Sequence, residues 1–217
     1  MKIKWNGHAS FTITASDGTV LVTDPYDPNG YPGVLMYDQV RDRADGVLVS
    51  HDHADHNYVK GIPGSPEVIK GSGRVKDIKV KGIPTYHDES GGSERGENTV
   101  FVFAVDGMNI CFAGDLGHLL SHEQIDAIGP LDLLLIPVGG TYTVDAGSAA
   151  KIAEALNPRV IIPMHFKTDK CELPISGVDN FLDKMEKVSR LRKSEIEVSR
   201  DQLPAAGPDV WVLEHAC

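Results

Sequence analysis

Residues Val49 to His56 read VSHDHADH, and the six from His51 to His56 hold three of the nine histidines together with two aspartates. Imidazole nitrogen and carboxylate oxygen are the ligands that Zn(II) and related ions take, and a catalytic site leaves one position for water. In an extended stretch His51 and His53, two apart, point the same way. The adjacent Asp55 and His56 reach a second point if the chain turns there, so one segment is able to serve two metals. A polar loop that is rich in histidine by accident is the plain alternative. With this chain's own His and Asp frequencies, H-x-H-x-D-H arises by chance in roughly one such chain in a thousand.

Elements of the same plan must bring other donors to this loop. Four short apolar runs each lead at once into such a residue: GVLVS into His51, IKVKGIPTY into His87, NICFAG into Asp115 and RVIIPM into His165. Continuous apolar runs of this length suit strands buried on both sides. Nearer the start, KIKWN, SFTIT and TVLVTD, with a turn at Ser16-Asp17-Gly18, predict an antiparallel meander. The Pro-, Gly- and Tyr-rich stretch from Pro25 to Tyr37 is too irregular for a strand or helix interior and predicts a pocket edge.

Two helices are expected. DAGSAAKIAEALN has Asp145 as N-cap and Ala149, Ile152, Ala153 and Leu156 on one face, and GVDNFLDKMEKV repeats the pattern at Val178, Phe181, Leu182 and Met185. The basic residues from Lys184 to Lys193, interspersed with Glu186 and followed by Glu195, read as the solvated face of a helix. Strands and helices interleave without strict βα alternation. The expected fold is therefore α+β, two sheets sandwiched between outer helices, as one domain over residues 1–217.

Composition narrows the function classes. The 41% hydrophobic and 24% charged residues are ordinary for a globular chain. No apolar stretch reaches membrane-span length, and MKIKWNGHAS lacks the apolar core of a signal peptide, which predicts a cytoplasmic protein with no membrane partner. Cys111, Cys171 and Cys217 form no CxxC pair and read as reduced thiols. A net charge of −10 disfavours nucleic acid as a partner, since backbone phosphates need clustered Lys and Arg. A homo-oligomer is compatible with all of this.

HDHADH resembles the H-x-H-x-D-H signature of the metallo-β-lactamase superfamily, whose fold is a four-layer αββα sandwich. That family adds a later His, an Asp and a final His at strand ends, and His87, Asp115 in AGD and His165 in PMH fill those slots in order. The likeness covers Met1 to about Thr168. It implies that His51, His53 and His87 bind one divalent ion and Asp55, His56 and His165 a second, with Asp115 between them. Zn is the expected metal, with Mn and Fe also accepting such ligands. WNGHASF, RGEN, GDLGH and PVGGTYT are similar to the branch of predicted Zn-dependent hydrolases related to ascorbate-6-phosphate lactonase.

Residues around the donors complete the expected site. Asp24 in VTDP matches the early Asp of the superfamily and is expected to support the ligand loop by accepting hydrogen bonds, against the plain reading of an Asx turn. Asp55 or Asp115 is expected to orient the nucleophile or take its proton, and His118 to bond substrate or protonate a leaving group. His8, Arg95, Asn98, Tyr142 and Lys167 are expected at the substrate, Arg95 and Lys167 for an anionic group and Asn98 for an oxyanion. His122 and His215 are read as structural.

The expected activity is metal-dependent hydrolysis of a small ester, lactone or phosphodiester, by a water that two metals activate. A non-catalytic metal-binding or regulatory protein is the alternative, with an RNA-processing phosphodiesterase behind it, because no insertion suits an RNA-binding arm.

Overall fold

The computed structural model describes residues 1–217. In chain order the strands begin with β1 (Lys2–Gly7), β2 (Ser10–Thr14), β3 (Val20–Thr23), β4 (Gly46–Leu48) and β5 (Glu67–Ile69). They continue with β6 (Gly73–Val75), β7 (Ile78–Tyr86), β8 (Glu97–Val105) and β9 (Met108–Phe112). Helix α1 (His122–Ile128), β10 (Leu133–Pro137), α2 (Ala146–Leu156), β11 (Val160–Met164) and α3 (Asp179–Leu182) follow. The last strands are β12 (Val188–Arg190), β13 (Glu195–Glu197) and β14 (Asp209–Val212).

Two mixed sheets result, in the orders β13-β1-β2-β3-β4-β5 and β12-β14-β11-β10-β9-β8-β7-β6. The predicted meander is present: β1, β2 and β3 pair antiparallel, with Ile3 opposite Ile13 and Phe11 opposite Thr23. Its alternation buries Ile3, Trp5, Phe11 and Ile13 in the main core, together with Phe101, Phe103, Ile110 and Phe112 of the other sheet. Strands β4, β10 and β11 are buried along their whole length, as the unbroken apolar runs require. β7 departs from that expectation: it exposes Lys79, Lys81, Pro84 and Tyr86 between the buried Val80, Ile83 and Thr85, so it is only partly enclosed.

Helix α2 forms where predicted. The Asp145 carboxylate accepts from Ser148 N–H at 2.7 Å, Asn157 closes the helix in the left-handed region, and Ala149, Ile152, Ala153 and Leu156 are buried against the eight-stranded sheet. Burying side chains such as Ile152 and Leu156 contributes about 1.5–3 kcal/mol each. The second expected helix is cut to the four residues of α3, and the basic stretch beyond it is not helical: Val188–Arg190 pairs in parallel with β14. Edge pairing in the sheet outweighs local helix propensity there. On the outer face of the six-stranded sheet, Val22 and Val47 pack with Tyr26, Leu35, Tyr37, Val40 and Ile62. The irregular stretch after β3 thus covers that face in place of a long helix.

Topology fixes where the donors meet. β9, β10 and β11 run parallel, and β7 points the same way because two antiparallel steps separate it from β9. The residues after β7, β9 and β11 therefore emerge at one edge of the sandwich. The loop after β4 and the β1–β2 turn arrive at the same edge from the other sheet.

Candidate metal centre

All seven sequence-predicted donors converge. His51, His53 and His87 form one group able to hold a metal ion, and Asp55, His56 and His165, joined by His8, form another. Rings of His51 and His53 lie 4.6 Å apart and those of His51 and His87 4.8 Å. Asp115 sits between the groups: its Oδ2 is 3.2 Å from His56 Nε2, 3.2 Å from His165 Nε2 and 3.3 Å from His87 Nε2. Donors that share an ion at about 2.1 Å in a tetrahedron stand roughly 3.4 Å from one another. The observed separations match the edges of such a polyhedron.

Unsatisfied atoms carry the same message. His51 Nε2, His56 Nε2 and Asp115 Oδ1 are buried without a hydrogen-bond partner, and such orphans are costly unless an ion or water meets them. Burial would raise the Asp115 carboxyl, but His165 and His56 hold it well below the usual range. Burial would likewise lower His56, yet Asp115 and Asp55 override it and raise that imidazole well above its ordinary value. Burial, then His56, pushes His51 down to about 2, keeping it in the neutral form a metal requires. Three buried or half-buried carboxylates, beside imidazoles of which His51 and His87 are pushed towards the neutral form by burial, thus draw positive charge into the cluster. The residues fit a cation.

Asp24 accepts hydrogen bonds from the loop that carries His51 and His56, partly through a residue that sequence reasoning missed. Its Oδ1 accepts from Ser50 N–H at 2.7 Å, and its Oδ2 accepts from Ser50 Oγ–H at 2.5 Å and from His56 Nδ1 at 2.9 Å. Ser50 Oγ, having given its proton to Asp24, accepts from His51 Nδ1 at 2.9 Å. One carboxylate therefore sets the tautomer of two imidazoles and leaves Nε2 of each facing the cluster. The only local sign of Ser50 was its place directly before His51.

Backbone packing is equally specific. A Cβ at Gly114, whose φ is +55°, would meet Asn98 Oδ1 and Ser50 Cβ at 2.5 Å each. A Cβ at Gly139 would meet the His165 carbonyl oxygen at 2.3 Å. Both glycines let donor-bearing loops approach more closely than any side chain permits.

The surrounding residues divide. Arg95 and Tyr142 line a cavity of about 300 Å³ that opens on His53, Asp55 and Asp115. The guanidinium carbon of Arg95 lies 5.8 Å from the Tyr142 ring centroid. Tyr31, from the irregular stretch expected to form a pocket edge, and Leu173 complete the wall. Four expected contacts are not brought to this cavity. His8 has a fully buried side chain, with Nε2 3.1 Å from Asp55 Oδ2. Asn98 gives both amide hydrogens away, to Thr85 Oγ1 and the Ala113 carbonyl, and accepts from Asp115 N–H, so it positions the Asp115 loop and has no donor for an oxyanion. His118 spends Nε2 on Tyr86 N–H and Nδ1 on the Leu119 carbonyl, which leaves no nitrogen for a leaving group. Lys167 pairs with Glu172 at 2.9 Å and faces a different depression, beside Trp5 and Phe166.

A second residue escaped sequence reasoning. Asp88, next to His87, accepts four backbone N–H bonds at 2.7–3.0 Å, from Ser90, Gly92, Glu94 and Arg95. Burial opposes the anion, but these four donors prevail and bring its carboxyl down to about 2. The loop that presents Arg95 is wound around this one carboxylate.

Comparison with known proteins agrees with the geometry. The family model described as the beta-lactamase superfamily domain matches residues 2–165, a span that takes in all seven donors. A crystal structure from Thermotoga maritima, described as a candidate Zn-dependent hydrolase of the metallo-beta-lactamase superfamily, superposes with a TM-score of 0.80. It is 38% identical and covers 99% of this chain and 98% of its own. Proteins named UPF0173 metal-dependent hydrolase from Hyperthermus butylicus and Thermococcus onnurineus are 32% and 30% identical. Their alignments cover 76% and 77% of this chain and 83% and 85% of the relatives. With its family match, its relatives and its two-sheet architecture in agreement, the chain belongs to the beta-lactamase superfamily, among hydrolases of the metallo-beta-lactamase fold.

Proposed function

We propose that the chain hydrolyses a small ester, lactone or phosphodiester with the help of two divalent ions, Zn first, with Mn and Fe accepted by the same donors. His51, His53 and His87 would hold one ion, Asp55, His56 and His165 the other, and Asp115 would touch both. The carrying observation is the buried convergence of these seven side chains, with Nε2 of His51 and His56 and Oδ1 of Asp115 lacking a hydrogen-bond partner. When bound, such an ion pair supplies a lowered water pKa and polarisation of the oxygen under attack.

The chain's own residues do the rest. Asp24 and Ser50 keep the imidazoles of His51 and His56 in the tautomer that offers Nε2. Burial opposes ionisation of Asp55, but His56 and His8 outweigh it and hold the carboxyl below the usual range. As a stable anion on the cavity wall, Asp55 suits orienting the nucleophile better than storing its proton. Arg95, whose side-chain partner Glu94 is 3.4 Å away, lines the cavity with Tyr31 and Tyr142, which supports a role in meeting an anionic group of the substrate. A cavity of about 300 Å³ suits a small molecule.

Purified chain loaded with Zn and offered ester, lactone and phosphodiester substrates tests this reading. Turnover should appear with at least one class and vanish in His53→Ala while the circular dichroism spectrum is retained. Undiminished turnover in His53→Ala removes that residue from the mechanism, and no turnover with any class refutes the hydrolase reading.

A further inference from the structure

Among residues of the cluster, His8 stands apart: its side chain has no exposure, and it does not line the cavity, so no substrate touches it. Yet it lies deep in the second donor group. Its ring centroid is 4.0 Å from that of His165 and 5.2 Å from that of His56. Its Nε2 makes the shortest contact to the Asp55 carboxylate, at 3.1 Å from Oδ2, against 3.6 Å for His56 Nε2.

The main chain of His8 is tied to the same group. Its carbonyl accepts from the Trp5 indole N–H at 3.0 Å and from the His165 backbone N–H at 3.1 Å. Its φ of +51° lies in the left-handed region, which a residue other than glycine occupies only where its surroundings over-determine the backbone. His56 is held at Nδ1 by Asp24, whereas the Asp55 carboxylate has its shortest contact with His8, nearer than His56 Nε2 at 3.6 Å, and the His165 backbone N–H is held by the His8 carbonyl.

We infer that His8 is a positioning residue for the second ion. Its Nε2–H donates to Asp55 Oδ2 and fixes the rotation of that carboxylate, while its carbonyl anchors the turn that carries His165. Without the donor, Asp55 is free to rotate about two side-chain torsions, and the second donor set loses its preorganisation before any ion arrives. The first set, His51, His53 and His87, receives nothing from His8 and is untouched. The inference rests on the two-ion reading above.

The test titrates metal-free wild type, His8→Leu and His8→Gln with Zn(II) against a chromophoric chelator, with thermal melts as a control for folding. Leucine keeps the bulk against His165 and has no donor. Glutamine restores an N–H at a similar reach. Wild type should take up two ions. His8→Leu should bind the first with wild-type affinity and the second at least 10-fold more weakly, the lower end of what a supporting partner of a ligand is worth. His8→Gln should recover the second ion to within about threefold of wild type. Unchanged binding of both ions in His8→Leu overturns the inference. So does a His8→Gln as weak as His8→Leu, which would mean that His8 itself coordinates. A wild type that takes up fewer than two ions overturns the two-ion reading and this inference with it. If His8→Leu does not fold, His8→Met against His8→Gln makes the same comparison.

Discussion

Replacing Asp24 by Asn perturbs the cluster by a single atom. The wild-type Oδ2 receives two protons, from Ser50 Oγ and from His56 Nδ1, while Oδ1 receives the Ser50 amide. Asparagine keeps one acceptor, which the Ser50 amide claims, and turns an NH₂ donor towards His56. His56 must then move its proton to Nε2, the atom that faces Asp115, and ceases to offer a lone pair there. Loss of such a supporting partner costs 10–100-fold in metal affinity. Direct contact with His56 places the second ion at the upper end, about 100-fold or about 2.7 kcal/mol. The first ion feels Asp24 only through Ser50 and His51, so about 10-fold, or about 1.4 kcal/mol, is expected. Chelator competition on folded Asp24→Asn measures both steps. Two binding steps within about threefold of wild type would refute the tautomer argument.

Four further outcomes follow from the contacts described above. Arg95→Ala should raise KM about tenfold for anionic substrates and leave KM for neutral ones nearly unchanged, the scale of one lost charge-assisted hydrogen bond; equal effects on both contradict the anion role. Asn98→Ala strands the Asp115 amide and the Ala113 carbonyl, costing about 2–4 kcal/mol and lowering Tm by roughly 5–12 °C, whereas His118→Ala should leave turnover unchanged. An unshifted melt for the first, or lost turnover for the second, reverses those assignments. Asp88 titrates at about 2 in the folded chain, below its ordinary 3.8, so its stabilisation is present above about pH 4 and is lost as pH falls through 2. Urea melts at stepped pH should therefore show the gap between wild type and Asp88→Asn narrowing over that window, and a gap as wide at pH 2 as at pH 5 contradicts it.

The donors were legible because each of them closes an apolar strand, and strand ends are where a sandwich gathers its loops. HDHADH, His87, Asp115 and His165 all follow that pattern, and the meander and α2 followed from period and capping. What sequence did not reveal lies in the far partner of each polar atom. Asn98 reads as a free amide until Thr85, Ala113 and Asp115 are seen around it, and His118 as a free imidazole until Tyr86 and Leu119 take both nitrogens. Ser50 and Asp88 went unnoticed because their work is done through hydrogen bonds that no periodicity records. The stretch after Leu182 misled for a different reason. Its helical spacing is real, but an open sheet edge beside β14 claims the backbone first.

The most direct test of the central claim is anomalous diffraction at the zinc absorption edge from crystals grown with Zn(II). Two peaks are expected, one enclosed by His51, His53 and His87 and one by Asp55, His56 and His165, with Asp115 in contact with both. No peak inside that ring of side chains, or peaks only elsewhere on the molecule, would contradict the account.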